Sequence, residues 1–341
     1  MKKFFLRGFL ISIPILIFAI TVELFFTIEL SGKRIYEYDA EIGWVPKKNF
    51  TYNRRRVDKA GNSYDVSLTT NEYGFRAWGD INTEKIKIFF LGDSYTGDPN
   101  MSDADSYFVQ AGRILDAEVF ALGGGGYSTL QELMVLRRYI GIIDPDYFVL
   151  QFCSNDFVNN SFSLEEKWIV SNQKNLRPYL VNDKIIYRLP AYHWYRLFYR
   201  FSATFRYLDY LYQGIQYKRY NGRYPPSARD KKKEMIKKEY SSADQVTGKL
   251  LEMMADSVPK KTGLLTFSCD TKNGALTRKW IRIAESAGFT PLPSVSRAIE
   301  QAEAEGIVVR TADGGHWAPR AHRIAGKVLA AEIRKAVNSK R

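Results

Sequence analysis

The chain has 341 residues, 45% hydrophobic and 26% charged, a balance that excludes a disordered polypeptide and suits one large α/β domain with an insertion or two small domains. Its 50 Lys and Arg residues against 37 Asp and Glu leave a net charge of +13, which favours anionic neighbours such as phospholipid headgroups, an acidic glycan or nucleic acid without choosing among them. Two cysteines and three histidines give neither zinc-finger spacing nor a disulfide framework, so no structural metal is expected.

Met1 to Leu30 opens with Lys2, Lys3 and Arg7 and then turns almost wholly apolar. Between Phe4 and Val22 only Arg7 is charged, close to the roughly 20 residues that cross a bilayer. The stretch reads as an uncleaved signal anchor. A cleaved signal peptide is the rival, but the run is long for one and no small-x-small site stands near Ser31 and Gly32. A buried core helix is the third reading. The amino-terminal positive charges favour a cytoplasmic amino terminus, a bias that Lys33 and Arg34 weaken, so the chain beyond is expected outside the cytoplasm. Glu23 is costly in hydrocarbon, by a few kcal/mol, which places it near the outer interface or against a partner helix.

Residues 33–85 are polar, aromatic and turn-rich, and read as a lead-in of short extended segments that bridges the membrane to the first strand. Ile86 to Thr96, Ile-Lys-Ile-Phe-Phe-Leu-Gly-Asp-Ser-Tyr-Thr, predicts a buried strand broken at Gly92, with Ser94 at its carboxyl end. Helices are then predicted over Ser106–Leu115 and Thr129–Ile140, and strands over Ala117–Leu122 and Tyr147–Phe152. Such alternation argues for a parallel sheet with helices on both faces.

From about 160 to 240 the alternation lapses into an insertion dense in aromatic and basic residues, as in Ala191–Arg200 and Arg206–Tyr212. These residues suit stacking on bases or sugars, or else a helical stripe that packs on the main domain or the membrane surface. Arg229–Lys238 is a charge run that reads as an exposed helix or linker. The alternation resumes with helices over Ala243–Met254, Leu276–Ala287 and Ser294–Ala304, and strands over Gly263–Ser268 and Ile307–Arg310. A last helix is predicted over Pro319–Val337, with Pro319 in its first turn.

A serine at a strand's carboxyl end lies where open α/β sheets bind ligands, and it becomes a nucleophile when a base and an orienting carboxylate are near. Asp313-Gly-Gly-His316, between the last strand and last helix, supplies both at the same sheet edge: the Asp313 carboxylate can accept Nδ1–H while Nε2 faces Ser94. An acyl-transfer site also needs oxyanion donors. The loop Gly123-Gly-Gly-Gly126 offers backbone N–H groups, and Cys153-Ser-Asn155-Asp156 places a side-chain amide at the end of the next strand. The glycines lack the Lys-Ser/Thr or the later acidic residue of a nucleotide site, so no cofactor is called for.

These blocks resemble those of the SGNH hydrolases, also called the GDSL esterase and lipase family. Gly92-Asp-Ser-Tyr-Thr96 is similar to that family's first block, Gly126 to its second-block glycine, Asn155-Asp156 to its third block, and Asp313-Gly-Gly-His316 to its fifth. The match spans roughly Tyr38 to Lys335. Glu41-Ile-Gly-Trp44 and Thr70-Asn-Glu-Tyr-Gly-Phe-Arg76 also resemble stretches that precede the first block in membrane-anchored bacterial members. The resemblance implies a three-layer α/β/α flavodoxin-like sandwich, Ser94 as nucleophile, His316 and Asp313 as its base and orienter, and an oxyanion hole of Ser94 N–H, Gly126 N–H and the Asn155 amide. It divides the chain into an anchor over 1–32, the lead-in over 33–85 and a hydrolase domain over 86–341. The expected activity is hydrolysis of short acyl esters such as O-acetyl groups on a surface or cell-wall glycan. Acyl transfer to a polysaccharide, lysophospholipid hydrolysis and a non-catalytic role with polysaccharide-assembly proteins are the alternatives. Nucleic acid is not an expected partner. Two departures stand out. Cys153 replaces a glycine usual in the third block, which changes the pocket wall. Ala318 stands where Asn is frequent after the histidine, which removes a helix cap worth about 1 kcal/mol. A disulfide between Cys153 and Cys269 is conceivable because the fold makes their strands neighbours, although parallel neighbours rarely have suitable geometry.

Overall fold

The computed structural model describes residues 2–31, 35–166, 176–188, 243–270 and 274–340, together with 194, 197–198, 201–209, 211–212 and 215. Most of Ala191–Arg200 and the whole charge run Arg229–Lys238 lie outside the described residues.

Helix α1, Lys2–Ser31, carries Pro14 within it. Its segment Ser12–Glu29 has a mean hydropathy of 1.9 and is 0% buried, long and apolar enough to cross a membrane, as is a signal sequence. The lead-in folds into two antiparallel hairpins. Strands β1 (Tyr36–Asp39) and β2 (Gly43–Pro46) form the first, and β3 (Thr51–Val57) and β4 (Ser63–Thr69) the second. The two-residue β5, Ala77–Trp78, then joins the main sheet.

The central sheet uses β6 (Lys87–Gly92), β7 (Glu118–Gly123), β8 (Tyr147–Phe152), β11 (Gly263–Ser268) and β12 (Thr290–Pro291), all parallel, in the order β12-β11-β8-β6-β7 with β5 antiparallel on the outer edge. Numbered along the chain, this is the doubly wound order 2-1-3-4-5, whose switch point falls between β6 and β8. The near-continuous apolar runs of these strands follow from burial on both faces. Alternate residues divide between two cores. Phe89, Leu91, Phe120, Leu122, Phe148, Leu150 and Phe152 face α3 (Thr129–Ile143), a helix over 243–257 and α8 (Gly274–Ser286). Ile88, Phe90, Ala121, Val149, Leu265 and Phe267 face α2 (Tyr107–Leu115), α9 (Pro293–Ala304) and α10 (Pro319–Lys340). That is the three-layer sandwich expected, and α10 opens on Pro319 as its first-turn proline requires.

Two expectations need correction. Ile307–Arg310 is not a strand of the sheet. Its end pairs locally instead, Arg310 bridging to Trp317 and Thr311 to Asp58, because the chain there must close the Asp313–His316 loop over the sheet edge. The fifth parallel strand is Thr290–Pro291, which has no periodicity to reveal it and tolerates proline because it is an edge strand. α4 (Asn155–Asn159) follows β8 directly, and within the insertion α5 (Phe162–Glu166) and the hairpin β9 (Arg177–Val181) with β10 (Lys184–Arg188) pack back on the sandwich.

Candidate active site

Ser94 follows β6, so it lies at the carboxyl edge beside the switch point, and it is only half-buried. Its turn is held from below. Asp93 N–H donates to Gln151 Oε1 at 3.2 Å, Tyr95 N–H to Asp93 Oδ1 at 3.2 Å, and Gly97 N–H to Asp93 O at 2.9 Å. Glycine is required at 92, since a Cβ there would meet Gln151 Oε1 and Thr96 Oγ1, each at 2.5 Å. The chain after the turn wraps around the buried Arg76 guanidinium, which donates to the carbonyls of Thr96 (3.3 Å), Asp98 (2.9 Å) and Met101 (2.6 Å) and pairs with Asp103 at 2.9 Å. Arg76 ends the lead-in stretch whose turn Asn71 closes by accepting from Tyr73 N–H and Phe75 N–H.

His316 Nε2 stands 3.0 Å from Ser94 Oγ, and His316 Nδ1 stands 2.8 Å from Asp313 Oδ2. With Nδ1–H donating to the carboxylate, Nε2 is left as acceptor for the serine proton. The other Asp313 oxygen accepts from Thr311 Oγ1 (2.7 Å), Gly315 N–H (2.8 Å) and His316 N–H (3.0 Å). Tyr95 O–H and Arg310 Nη1 both donate to Gly315 O at 2.8 Å, and the Tyr95 ring lies 5.2 Å from the imidazole. Burial alone would depress the His316 pKa. The Asp313 hydrogen bond and the charges of Asp98, Asp313 and Asp93 outweigh it and raise the pKa to about 9. The hydrogen bond to His316 holds the Asp313 carboxyl far below the usual range despite partial burial. His322 is not a rival base: it is fully buried on α10 and accepts from Tyr107 N–H at 3.3 Å. His193 lies outside the described residues.

The Gly126 and Asn155 loops close the same edge from β7 and β8. Gly126 takes a φ of +71°, a left-handed turn natural to glycine. Among the described residues neither Ser94 N–H nor Gly126 N–H has a backbone acceptor. Asn155 Nδ2 donates to Asp93 Oδ2 at 3.2 Å, which spends one amide hydrogen and orients the other. All the residues expected at the site from the sequence (Ser94, Gly126, Asn155, Asp313 and His316) therefore meet at one edge.

The sequence did not reveal what grips the Gly126 loop. The Tyr36 hydroxyl oxygen accepts from Gly125 N–H at 2.6 Å, Trp44 Nε1 donates to Gly125 O at 3.2 Å, and Tyr127 O–H donates to Trp44 O at 2.8 Å. The first hairpin is thus a wall of the site as well as a bridge to it. From the other side Asn159 Nδ2 donates to Gly126 O at 3.3 Å, and the fully buried Arg177 donates to the same carbonyl at 2.6 Å. Arg177 also donates to Gln131 Oε1 at 2.5 Å, pairs with Glu165 at 3.1 Å and lies over the Trp44 ring at 4.9 Å. Gln131 completes the capping box of α3 with Ser128, so loop and helix share one anchor.

Cys153 and Cys269 are free, buried and side by side, and with Asp270 their ligand atoms lie within 4.8 Å of one another. Asp270 is engaged by Ser154 N–H at 2.6 Å and Ser154 Oγ at 3.1 Å, and burial pushes the Cys269 thiol well up, so the group's present bonding serves the Asn155 loop.

No family model matches the chain, and no curated protein does. Solved structures do. The lipase/acylhydrolase from Enterococcus faecalis has a TM-score of 0.41 at 13% identity, covering 74% of this chain and 96% of its own. The acetylxylan esterase Axe2 from Geobacillus stearothermophilus has a TM-score of 0.38 at 11% identity, covering 74% and 95%. The Clostridium thermocellum family 3 carbohydrate esterase has a TM-score of 0.39 at 11% identity, covering 74% and 98%. The doubly wound sheet has the strand order that the resemblance to the SGNH hydrolases implies, and the four sequence blocks behind that resemblance meet at one edge of it.

Proposed function

We propose that the chain is a serine ester hydrolase that removes short acyl groups, acetyl foremost, from a glycan outside the cytoplasm. The observation that carries this reading is the relay from Ser94 Oγ to His316 Nε2 at 3.0 Å and on from His316 Nδ1 to Asp313 at 2.8 Å. Ser94 Oγ attacks the ester carbonyl while His316 takes its proton, and Asp313 steadies the imidazolium. The carbonyl oxygen becomes an oxyanion facing the N–H groups of Ser94 and Gly126 and the Asn155 amide. Collapse expels the sugar alkoxide, which leaves with the proton from His316. Water, deprotonated by His316, then cleaves the acyl-serine and restores the enzyme. A polymer substrate suits a site whose His316 and Asp313 side chains remain 31% and 49% exposed at the surface. The aromatic and basic content of the insertion and an apolar amino-terminal helix point the same way.

The test compares the detergent-purified full chain with Ser94→Ala on p-nitrophenyl acetate, acetylated glycans and lysophospholipids. Loss of at least about 10³-fold on the ester with retained folding is expected. Unchanged hydrolysis by Ser94→Ala would overturn the proposal. Release of acetate only when a glycan acceptor is withheld would redirect it to acyl transfer, and preference for lysophospholipid would redirect it to lipid.

A further inference from the structure

Glu23, the one acidic residue in the middle of the apolar stretch of α1, has its partners in the insertion. Its carboxylate accepts from Ser202 Oγ at 2.7 Å, from Thr204 N–H at 3.2 Å and from Ala203 N–H. Ser202 Oγ also accepts from Phe205 N–H at 3.0 Å, so Ser202 and Glu23 together satisfy the first turn of a helix over 203–209. One turn along α1, Phe26 stacks on Tyr207 with ring centroids 4.5 Å apart and planes 25° from parallel. The carboxylate that would burden a lone membrane helix is therefore consumed in docking a second segment.

That second segment is apolar on its outer side. Leu197 and Phe198 precede Ser202 at helical spacing, and Leu208, Leu211, Tyr212 and Ile215 follow it, each between 43% and 60% exposed. Such a surface is abnormal against water. It adjoins α1, whose apolar segment has no buried residue and is exposed except around the docking residues Val22, Glu23 and Phe26, so one non-aqueous surrounding covers both. Depth agrees. Glu23 lies six residues before Glu29, the end of the apolar segment, or about 9 Å along the helix, and interfacial helices sink their apolar face roughly 5–10 Å into the headgroup and acyl boundary. Arg196, Arg200 and Arg206 intersperse the same stretch and Lys218 and Arg219 follow it, a charge pattern complementary to anionic headgroups.

We propose that the helix over 203–209 and the described residues flanking it, Trp194, Leu197, Phe198, Leu211, Tyr212 and Ile215, form an arm lying in the outer interface of the bilayer that α1 crosses, docked on α1 through Glu23 and Phe26, so that α1 is a permanent part of the folded protein. The proposal is independent of the chemistry at Ser94.

The full chain is reconstituted in vesicles of phosphatidylcholine and phosphatidylglycerol, and the fluorescence of Trp194, 57% exposed on the arm, is taken as the difference between wild type and Trp194→Phe. Lipids brominated on their acyl chains are expected to quench more than half of that difference, with aqueous iodide quenching little. Strong iodide quenching without bromolipid quenching would overturn the proposal, as would protection that scales with protein-to-lipid ratio, which would mean a second copy covers the arm. Glu23→Ala is expected to raise iodide accessibility of Trp194 at least twofold while p-nitrophenyl acetate hydrolysis and the thermal transition stay unchanged. No change in accessibility would overturn the docking. The intact mass of the membrane-extracted protein is expected to include α1, and a chain beginning after Ser31 would overturn its permanence.

Discussion

The Arg177 guanidinium, on a strand inside the aromatic insertion, donates a 2.6 Å hydrogen bond to the carbonyl of Gly126, the residue whose N–H the proposed mechanism assigns to the oxyanion hole. A fully buried charge pair therefore anchors the peptide that follows Gly126, while the peptide carrying the Gly126 N–H is held at Gly125 O by Trp44 Nε1 at 3.2 Å. Arg177→Met removes the buried guanidinium that pairs with Glu165, and a loss of about 3–5 kcal/mol is expected in urea denaturation. Arg177→Met with Glu165→Leu should recover much of that stability but not the turnover on p-nitrophenyl acetate, because the Gly126 carbonyl still lacks its anchor. Full recovery of turnover in the double variant would remove Arg177 from any positioning role.

His316 carries a pKa raised to about 9, so the neutral base that accepts the serine proton accumulates only as pH rises toward that value. The acid limb of kcat/KM is expected near pH 9 in the free protein. Asp313→Asn deletes the carboxylate that raises the pKa and leaves burial to lower it, so the limb should move down by more than one unit while the plateau falls about 10²–10⁴-fold. In stability the sign is the reverse of a carboxylate's. His316 contributes fully below its unfolded pKa of about 6.5 and loses that contribution as pH climbs through about 9. A pH–rate profile whose limb stays put in Asp313→Asn would contradict the pairing.

Asn155 is restrained by Asp93 at 3.2 Å. Asn155→Ala is expected to cost about 10²–10³ in kcat with little change in KM, the signature of a contact made in the transition state. Asp93→Asn keeps the amide but loosens its aim, and a smaller loss should follow. Equal KM effects in both would point to substrate binding instead, and steady-state kinetics separates the cases.

Glu132 lies fully inside the protein on α3, and among the described residues neither of its carboxylate oxygens has a hydrogen-bond partner. Burial first, then the charges of Asp156 and Asp93, push its pKa well up. A carboxyl that keeps its proton longer in the folded than in the unfolded chain makes stability fall as pH rises above the unfolded value of about 4.3. Glu132→Gln should therefore gain on wild type steadily from pH 5 to pH 8 in urea titrations. A constant difference across that range would show that Glu132 does not titrate with folding.

Strands β6, β8 and β11 and helices α2 and α3 were legible because their apolar spacing is a local property: a strand buried on both faces must be apolar throughout, whatever its neighbours. Ser94, Asn155 and the Asp313–His316 pair were legible for a related reason, since each directly follows a strand or precedes a helix and so inherits a place at one sheet edge. Thr290–Pro291 was not, because two residues paired only with β11 have no period to detect. Nor were the groups that tune the site. Tyr36, Trp44 and Arg177 reach the Gly126 loop from 51 to 89 residues away in the chain, and Glu23 meets Ser202 across 179. Hydrogen-bond complementarity between such groups leaves no mark on either stretch alone. Sequence by itself determined the doubly wound sandwich and which polar residues gather at its carboxyl edge. Only the tertiary structure decided that the lead-in and the insertion clamp that edge, because a buried polar group finds its partner in space.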